Sequence, residues 1–420
     1  MKPYHDNRYI ISCIGYFLFE EETIMKKLVS LALAAVLAVS AVGCGSSSDS
    51  SSSTADSAQS TEAAADGATF KIGGIGPITG GAAIYGQAVM NAAQMAVDKI
   101  NADGGINGYQ VEFRFEDDEH DAEKSVNAYN SLKDWGMQML MGTVTSTPCT
   151  AVVEKTHEDN MFQLTPSGSA VESIKYDNAF RVCFSDPGQG TASAKYIGEN
   201  KLASKVAVIY NSSDVYSSGI YQKFAEEAKN QDFEVVSAEA FTEDSKTDFS
   251  VQLQKAKDAG ADMVFLPIYY TEASLILTQA NSMGYAPTFF GCDGLDGLLA
   301  VKNFDTKLAD GVMLLTPFAA DAADEKTQAF VSAYKEAYGD TPNQFAADTY
   351  DAIYIMKAAA EKAGVTADMS VSDICDAMKT AMTEISYDGL TGEGMTWTAD
   401  GEPDKAPKAV VIKDGAYVAM

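Results

Sequence analysis

Residues 70–115 read FKIGGIGPITGGAAIYGQAVMNAAQMAVDKINADGGINGYQVEFRF, and their hydrophobic rhythm changes twice. Phe70 to Ile78 is strand-like and ends in glycine-rich sequence. Val89, Ala92, Ala93, Ala96 and Ile100 then recur at helical spacing, and Gly104-Gly105 stops that run. Val111, Phe113 and Phe115 alternate with polar neighbours, the period of a half-buried strand. Strand, helix and strand in so short a span predict a βαβ unit.

The pattern continues outward. A helix is expected from Ala122 to Trp135, followed by a strand around Met137–Met141. Similar units recur at Val206–Tyr210, Phe233–Val236 and Met263–Ile268, each followed by a helical stretch. Alternation of this kind predicts an α/β protein built on parallel sheets. About 350 of the 420 residues carry it, enough for two domains or one bilobal unit. Asp186-Pro187 reads as a helix start, with Asp as cap and Pro in the first turn, and marks a place for the chain to leave one lobe.

The N-terminal end has a different character. Met25-Lys26-Lys27 precedes an apolar segment, Leu28 to Val42, which runs into Gly43-Cys44. A basic start, a short apolar core and small residues are the parts of a secretory signal. The apolar run falls short of the roughly 20 residues a spanning helix needs. Small residues leading into a single Cys resemble a bacterial lipobox, with Ala41 where Leu is usual and Cys44 as the lipid-modified residue. Residues 25–43 are read as the signal and 44–68 as the lipidated Cys with its Ser-rich tether, which cannot bury a core. Residues 1–24, with Glu20-Glu21-Glu22 just before Met25, are read as an upstream extension outside the fold. The mature chain is therefore expected outside the cell membrane, held to it by acyl chains.

Composition narrows the function. Fifty-nine acidic residues against 30 basic ones give a formal charge of −29, the opposite of a phosphate-binding surface, so no nucleic-acid partner is expected. Cys149, Cys183, Cys292 and Cys375 are widely separated and form no C-x-x-C pair, and the chain has three histidines. Zinc, other metal and thioredoxin chemistry are not suggested, and no cofactor is implied. Gly74-Ile75-Gly76-Pro77-Ile78-Thr79-Gly80 spaces its glycines wrongly for a dinucleotide loop, and Pro77 removes an amide that a phosphate would need. No G-K-[ST] loop or G-x-S-x-G elbow occurs. The acidic run Glu116–Asp121 sits where a strand gives way to a helix and reads as a solvated loop rather than a metal site.

Two strand ends carry more. Gly142-Thr143-Val144-Thr145-Ser146-Thr147-Pro148 follows one strand and opens a helix. Thr165-Pro166-Ser167-Gly168-Ser169 follows another, with Ser169 and Glu172 at capping-box spacing. Both put hydroxyls and free amides at C-terminal strand ends, where open α/β sheets bind ligands and a carboxylate is welcome. Simple helix capping explains the spacing equally well.

From Phe70 onward the chain resembles the leucine/isoleucine/valine-binding type of ABC-transporter solute-binding protein. The resemblance is carried by Gly76-Pro77-Ile78-Thr79-Gly80 with Tyr85-Gly86, by Ala96–Tyr109, by Leu164-Thr165-Pro166 and by Ala347-Asp348-Thr349-Tyr350-Asp351-Ala352. It implies a type I periplasmic-binding-protein clamshell of two doubly wound parallel-sheet lobes joined by three crossings. The crossings are expected near Asp186-Pro187, Thr316-Pro317 and Glu393-Gly394, giving one lobe of residues 69–187 plus 318–393 and another of 188–317 plus 394–420. It further implies that Ser146 and Ser169 hold a ligand carboxylate. The ammonium falls to the Ser167 carbonyl, the Ser169 hydroxyl and Asp293, where the family more usually has Glu. Gly168 lies in the same loop, and Tyr85, Tyr216 and Tyr269 match positions lining the cleft. The cysteine pair bridged in some members corresponds here to His120 and Thr145.

The resemblance thus points to a monomeric, non-catalytic receptor that captures a branched-chain or related amino acid and delivers it to a membrane permease. The alternatives within the fold are a receptor for an amide, urea or aromatic acid, or a sensory ligand-binding protein. A hydrolase would need a nucleophile beside a base, and neither His120 nor His157 lies near a nucleophile motif.

Overall fold

The computed structural model describes residues 67–420; the signal, Cys44 and nearly all of the tether lie outside them. The first half builds β1 (Thr69–Gly76), α1 (Ala83–Ala102), β2 (Gln110–Asp117), α2 (Ala122–Trp135), β3 (Met139–Gly142), α3 (Ser146–Glu158), β4 (Phe162–Thr165) and β5 (Ala179–Arg181). These five strands form a sheet in the order β2-β1-β3-β4-β5, all parallel. The predicted stripe of α1, from Val89 to Ile100, is buried, and Gly105 ends the helix with its amide on the Ile100 carbonyl, 2.8 Å away. Gly105 has φ +84°, where a side chain would be strained. Gly86 is required for a different reason: a Cβ there would sit 2.0 Å from the Pro77 carbonyl oxygen, so only glycine lets α1 pack on the loop after β1.

The second half adds α4 (Asp186–Glu199), β6 (Lys205–Asn211), α5 (Val215–Glu227), β7 (Glu234–Phe241), α6 (Ser250–Asp258), β8 (Met263–Leu266), α7 (Tyr270–Ser282), β9 (Thr288–Gly291) and β10 (Met313–Thr316). Then come α8 (Glu325–Tyr338), α9 (Gln344–Ala363), α10 (Val371–Met382), β11 (Lys408–Lys413) and β12 (Ala416–Ala419). The second sheet is seven-stranded, in the order β12-β11-β10-β9-β8-β6-β7. It is parallel from β7 to β10, but the terminal β11–β12 hairpin runs antiparallel along its edge. Helix α9 packs back on α1 of the first sheet, and the chain joins the second sheet for the last time at Lys408. Strands β3, β4, β8 and β10 are buried along their whole length, as expected when helices cover both faces.

Both sheets have a switch in strand order, between β1 and β3 in one and between β6 and β8 in the other. Open α/β sheets bind ligands outside the C-terminal strand ends at such points. One buried cluster includes residues of both halves, among them Tyr85, Tyr270, Leu295 and Phe345. The halves also bond directly. Thr271 Oγ1 donates to the Gly81 carbonyl at 2.7 Å, and the Ile84 amide donates to the Tyr270 hydroxyl at 3.1 Å.

Three local expectations need correction. Ser169 and Glu172 form no capping box: the short 3-10 turn Val171–Ile174 has Ala170 at its cap and no side-chain cap. Asp186 does not cap α4; Ser185 does, accepting from the Gly188 amide, which leaves Asp186 in the first turn. The acidic run is not a solvated loop throughout. Asp117 accepts the Ile78 amide at 2.9 Å and the Thr79 hydroxyl at 2.5 Å, tying the loop after β1 to the end of β2. Asp118 is fully buried, and Asp121 caps α2. The four cysteines of the described region are free and buried.

Candidate functional site

The loop after β3 delivers Ser146 as the first residue of α3. Thr145, at the cap, bonds no backbone amide of the helix with its side chain. Its hydroxyl instead meets His120 Nδ1 at 2.9 Å, so a hydrogen bond joins the two positions that the resemblance paired with a disulfide. The start of α3 is therefore left uncapped by its own side chain, with the partial positive charge of a helix N-terminus. Ser146 Oγ accepts the Ala170 amide at 3.1 Å and lies 3.4 Å from Ser169 Oγ. The loop after β4 is held rigidly. Thr165 Oγ1 accepts the Gly168 amide at 2.7 Å, Ser167 Oγ donates to the Val144 carbonyl at 2.6 Å, and the buried Arg181 guanidinium donates to the carbonyls of Gly168, Ser169 and Ala170. Arg181 Nε lies 2.6 Å from Glu402 Oε2 as an ion pair rather than an aligned hydrogen bond.

The opposite wall comes from the second sheet. Asp293 follows β9 and is 3 % exposed. Its Oδ1 accepts from the Tyr216 hydroxyl at 2.7 Å, its amide donates to Gln189 Oε1 at 3.2 Å, and the Gly294 amide donates to the Tyr216 oxygen at 2.9 Å. Burial pushes the Asp293 carboxyl up to about 6, against the pull of these hydrogen bonds. Tyr216 stacks on Tyr269 at 4.9 Å, and Tyr85 meets Tyr269 edge-on at 5.6 Å. The Tyr85 hydroxyl donates to the Gly294 carbonyl and accepts the Tyr270 amide, so it bridges the halves. Desolvation holds all three phenols protonated, well above their usual range.

The structure therefore gathers Tyr85, Tyr216, Tyr269 and Asp293 into one contact set, and Ser146, Ser167 and Ser169 into another. Gly168 differs: its amide and carbonyl are both used inside the protein, and a Cβ there would sit 2.8 Å from Cys149 Sγ. Cys44 lies outside the described residues.

Sequence reasoning missed a central group. Asp186 is 2 % exposed, and neither carboxylate oxygen has a hydrogen-bond partner. Burial raises its pKa, with the Ser169 hydroxyl opposing and the Asp293 charge reinforcing the shift. Gln189, one turn on, has an unpartnered Nε2. Buried polar groups are normally satisfied, and these atoms have no hydrogen-bond partner among the described residues. Nothing in the local pattern separates Asp186 from a helix cap; only the fold turns it inward.

Hydroxyls and a helix N-terminus suit a carboxylate, and two buried acids suit a cation: Asp293 on the opposite wall, and Asp186 beside the serines, its amide donating to the Ser169 carbonyl at 2.9 Å. Such polar groups at the strand ends of a two-sheet clamshell define a solute-binding protein. The family model for periplasmic binding proteins matches residues 69–416, and the chain belongs to that family. Among curated relatives, the leucine-, isoleucine-, valine-, threonine- and alanine-binding protein of Pseudomonas aeruginosa is 30% identical over 303 residues, covering 72% of this chain and 80% of the relative. The Leu/Ile/Val-binding protein BraC3 of Rhizobium johnstonii is 31% identical over 337 residues, covering 78% and 89%. Among solved structures, the branched-chain amino acid transporter substrate-binding protein LivJ of Streptococcus pneumoniae, in complex with isoleucine, superposes with a TM-score of 0.76 at 29% identity, covering 84% of this chain and 98% of that one. A benzoate-bound solute-binding protein of R. palustris has a TM-score of 0.74 at 21% identity, covering 84% and 95%, and shares the fold.

Proposed function

We propose that this protein is the solute receptor of an ABC importer and that it captures a free α-amino acid of branched-chain or related kind. The observation that carries this reading is the pairing of two buried acids, Asp293 and the unpartnered Asp186, with the Ser146–Ser169 hydroxyls at the N-terminus of α3. A zwitterion satisfies both ends at once, each charge-assisted hydrogen bond contributing about 1.5–3 kcal/mol. The rings of Tyr85, Tyr216 and Tyr269 supply apolar area with polar tips. The ligand does not react.

The working cycle is hinged closure, a shift between two lobe arrangements that hides the ligand and offers a permease one recognisable surface. The lobes are residues 69–187 plus 318–393 and residues 188–317 plus 394–420, and the protein acts as a monomer. The family is extracytoplasmic, and no helix among the described residues is long and apolar enough to cross a membrane. Anchorage is assigned to acyl chains on Cys44.

Thermal-shift measurement against the common amino acids and their deaminated analogues tests the assignment. A true ligand at about 100 times its Kd adds about 2.7 kcal/mol of apparent stability. Equal shifts from amino acids and their deaminated analogues sink the zwitterion reading.

A further inference from the structure

Beside the clamp lies a second space of about 240 Å³, formed by residues of both sheets. Tyr269 is a wall common to both: its ring stacks on Tyr216 at the clamp and meets His120 edge-on, at 5.3 Å, in the cavity. The two sites are adjacent along the chain as well. Thr147 follows Ser146, and its Oγ1 donates across the cleft to Asp214 Oδ1 at 3.0 Å; Asp214 caps α5, which carries Tyr216. The cavity therefore adjoins the clamp through the Tyr269 ring and through the Thr147–Asp214 bond.

The lining is not that of a hydrocarbon pocket. Ala82, Phe241, Ile268 and the Tyr269 ring are its apolar members. The remainder is polar, including the carboxylates of Glu119, Asp121, Asp214, Glu243 and Glu272 and the ammonium groups of Lys124 and Lys246. Lys124 is engaged by Glu119 at 2.7 Å, and Lys246 by Glu243 at 2.5 Å and Glu272 at 3.6 Å. Asp214 and Glu272 are 5 % and 7 % exposed, and burial raises the pKa of each. A bare alkyl side chain would complete their desolvation and give no donor in return, which is costly.

We propose that this cavity is the side-chain subsite and that it selects an amino acid whose side chain ends in a hydrogen-bond donor, a hydroxyl, amide or cation, over one ending in hydrocarbon. The donor meets Asp214 and Glu272, and His120 and Thr147 position Asp214's side of the subsite. This inference rests on the clamp reading above: it keeps the α-amino acid and moves the preferred side chain from the branched-chain members to the donor-bearing ones related to them.

Calorimetric titration of the purified protein with threonine against valine, glutamine against methionine and lysine against norleucine tests it. In at least one pair the donor-bearing member should bind tenfold or more tighter, and Asp214→Asn should cut that preference at least threefold. Asn keeps an acceptor for the Ser217 amide, so the start of α5 survives; Glu272→Gln is the second variant and should cut the preference likewise. A smaller preference in every pair overturns the subsite while leaving the clamp intact. A preference unchanged in both variants overturns the assignment of these acids. Binding by none of the amino acids overturns the clamp itself, and the subsite with it.

Discussion

Asp293 and Ser146 serve opposite ends of one ligand, so their loss should be felt differently. Asp293→Asn should weaken binding of an amino acid by roughly 2–5 kcal/mol, since a buried ammonium loses its counter-charge. Ser146→Ala should cost about 1–3 kcal/mol, because it removes one neutral donor from a site that backbone amides also serve. Titrating both variants with an amino acid and its deaminated analogue separates the roles: Asp293→Asn should hardly affect the analogue, whereas Ser146→Ala should affect both. Asp186→Asn makes a sharper test. At neutral pH it should stabilise the empty protein, by removing a buried carboxyl with no partner, yet weaken amino-acid binding by roughly 1.5–3 kcal/mol. A variant that loses stability and keeps its affinity would show Asp186 to be structural.

At the scale of elements, the segment Ala347–Ala352 in α9 owes its character to the connections between the sheets. Asp348 Oδ1 lies 2.6 Å from Lys405 Nζ, which also donates to Thr391 Oγ1 at 2.7 Å and to the Val182 carbonyl at 3.1 Å. Asp351 accepts the amides of Leu390 and Thr391 at 2.8 and 2.9 Å. Val182 lies just before α4 and Lys405 just before β11, so one buried ion pair ties both of these connecting segments to α9. Lys405→Met should destabilise the protein by about 3–5 kcal/mol, because Asp348 is left charged and alone. Adding Asp348→Leu should recover most of that loss in urea unfolding; failure to recover it would mean that Lys405 acts through its bonds to Thr391 and Val182.

For the whole molecule, buried acids set the response to pH. Burial raises Asp118 and Asp296 to about 7 and Asp293 to about 6. A raised carboxyl stabilises the fold while protonated; the contribution is complete below the unfolded value of about 4 and is lost as pH climbs through the folded value. The empty protein should therefore lose stability between about pH 4 and 7, by on the order of a few kcal/mol. An ammonium ligand holds Asp293 ionised, so the ligand-induced shift in Tm should grow over the same range. A flat profile for both forms would refute this. Anchorage is tested by Cys44→Ala, which should release the protein from the membrane fraction without altering its ligand affinity.

Much of this protein was legible in its sequence because the information is local. Alternating and helical hydrophobic periods located β1, α1, β2 and the units that follow, since a segment's own pattern decides which face it buries. The serines at the ends of β3 and β4 were visible as hydroxyls before helix starts, though capping fitted them equally well until the strand order set the two loops side by side, the one after β3 at the switch point. Asp186 could not be told from a cap, because its meaning depends on Ser169 and Asp293, which other strands bring to it. The same holds for Lys405 with Asp348, for Asp214 across from Thr147, and for the antiparallel edge that residues 408–419 add to the second sheet. The sequence by itself determined the class of fold and the chemistry of one loop at a time. Tertiary structure alone decided which charges are buried together, because desolvation and pairing belong to the space between segments and to no single one of them.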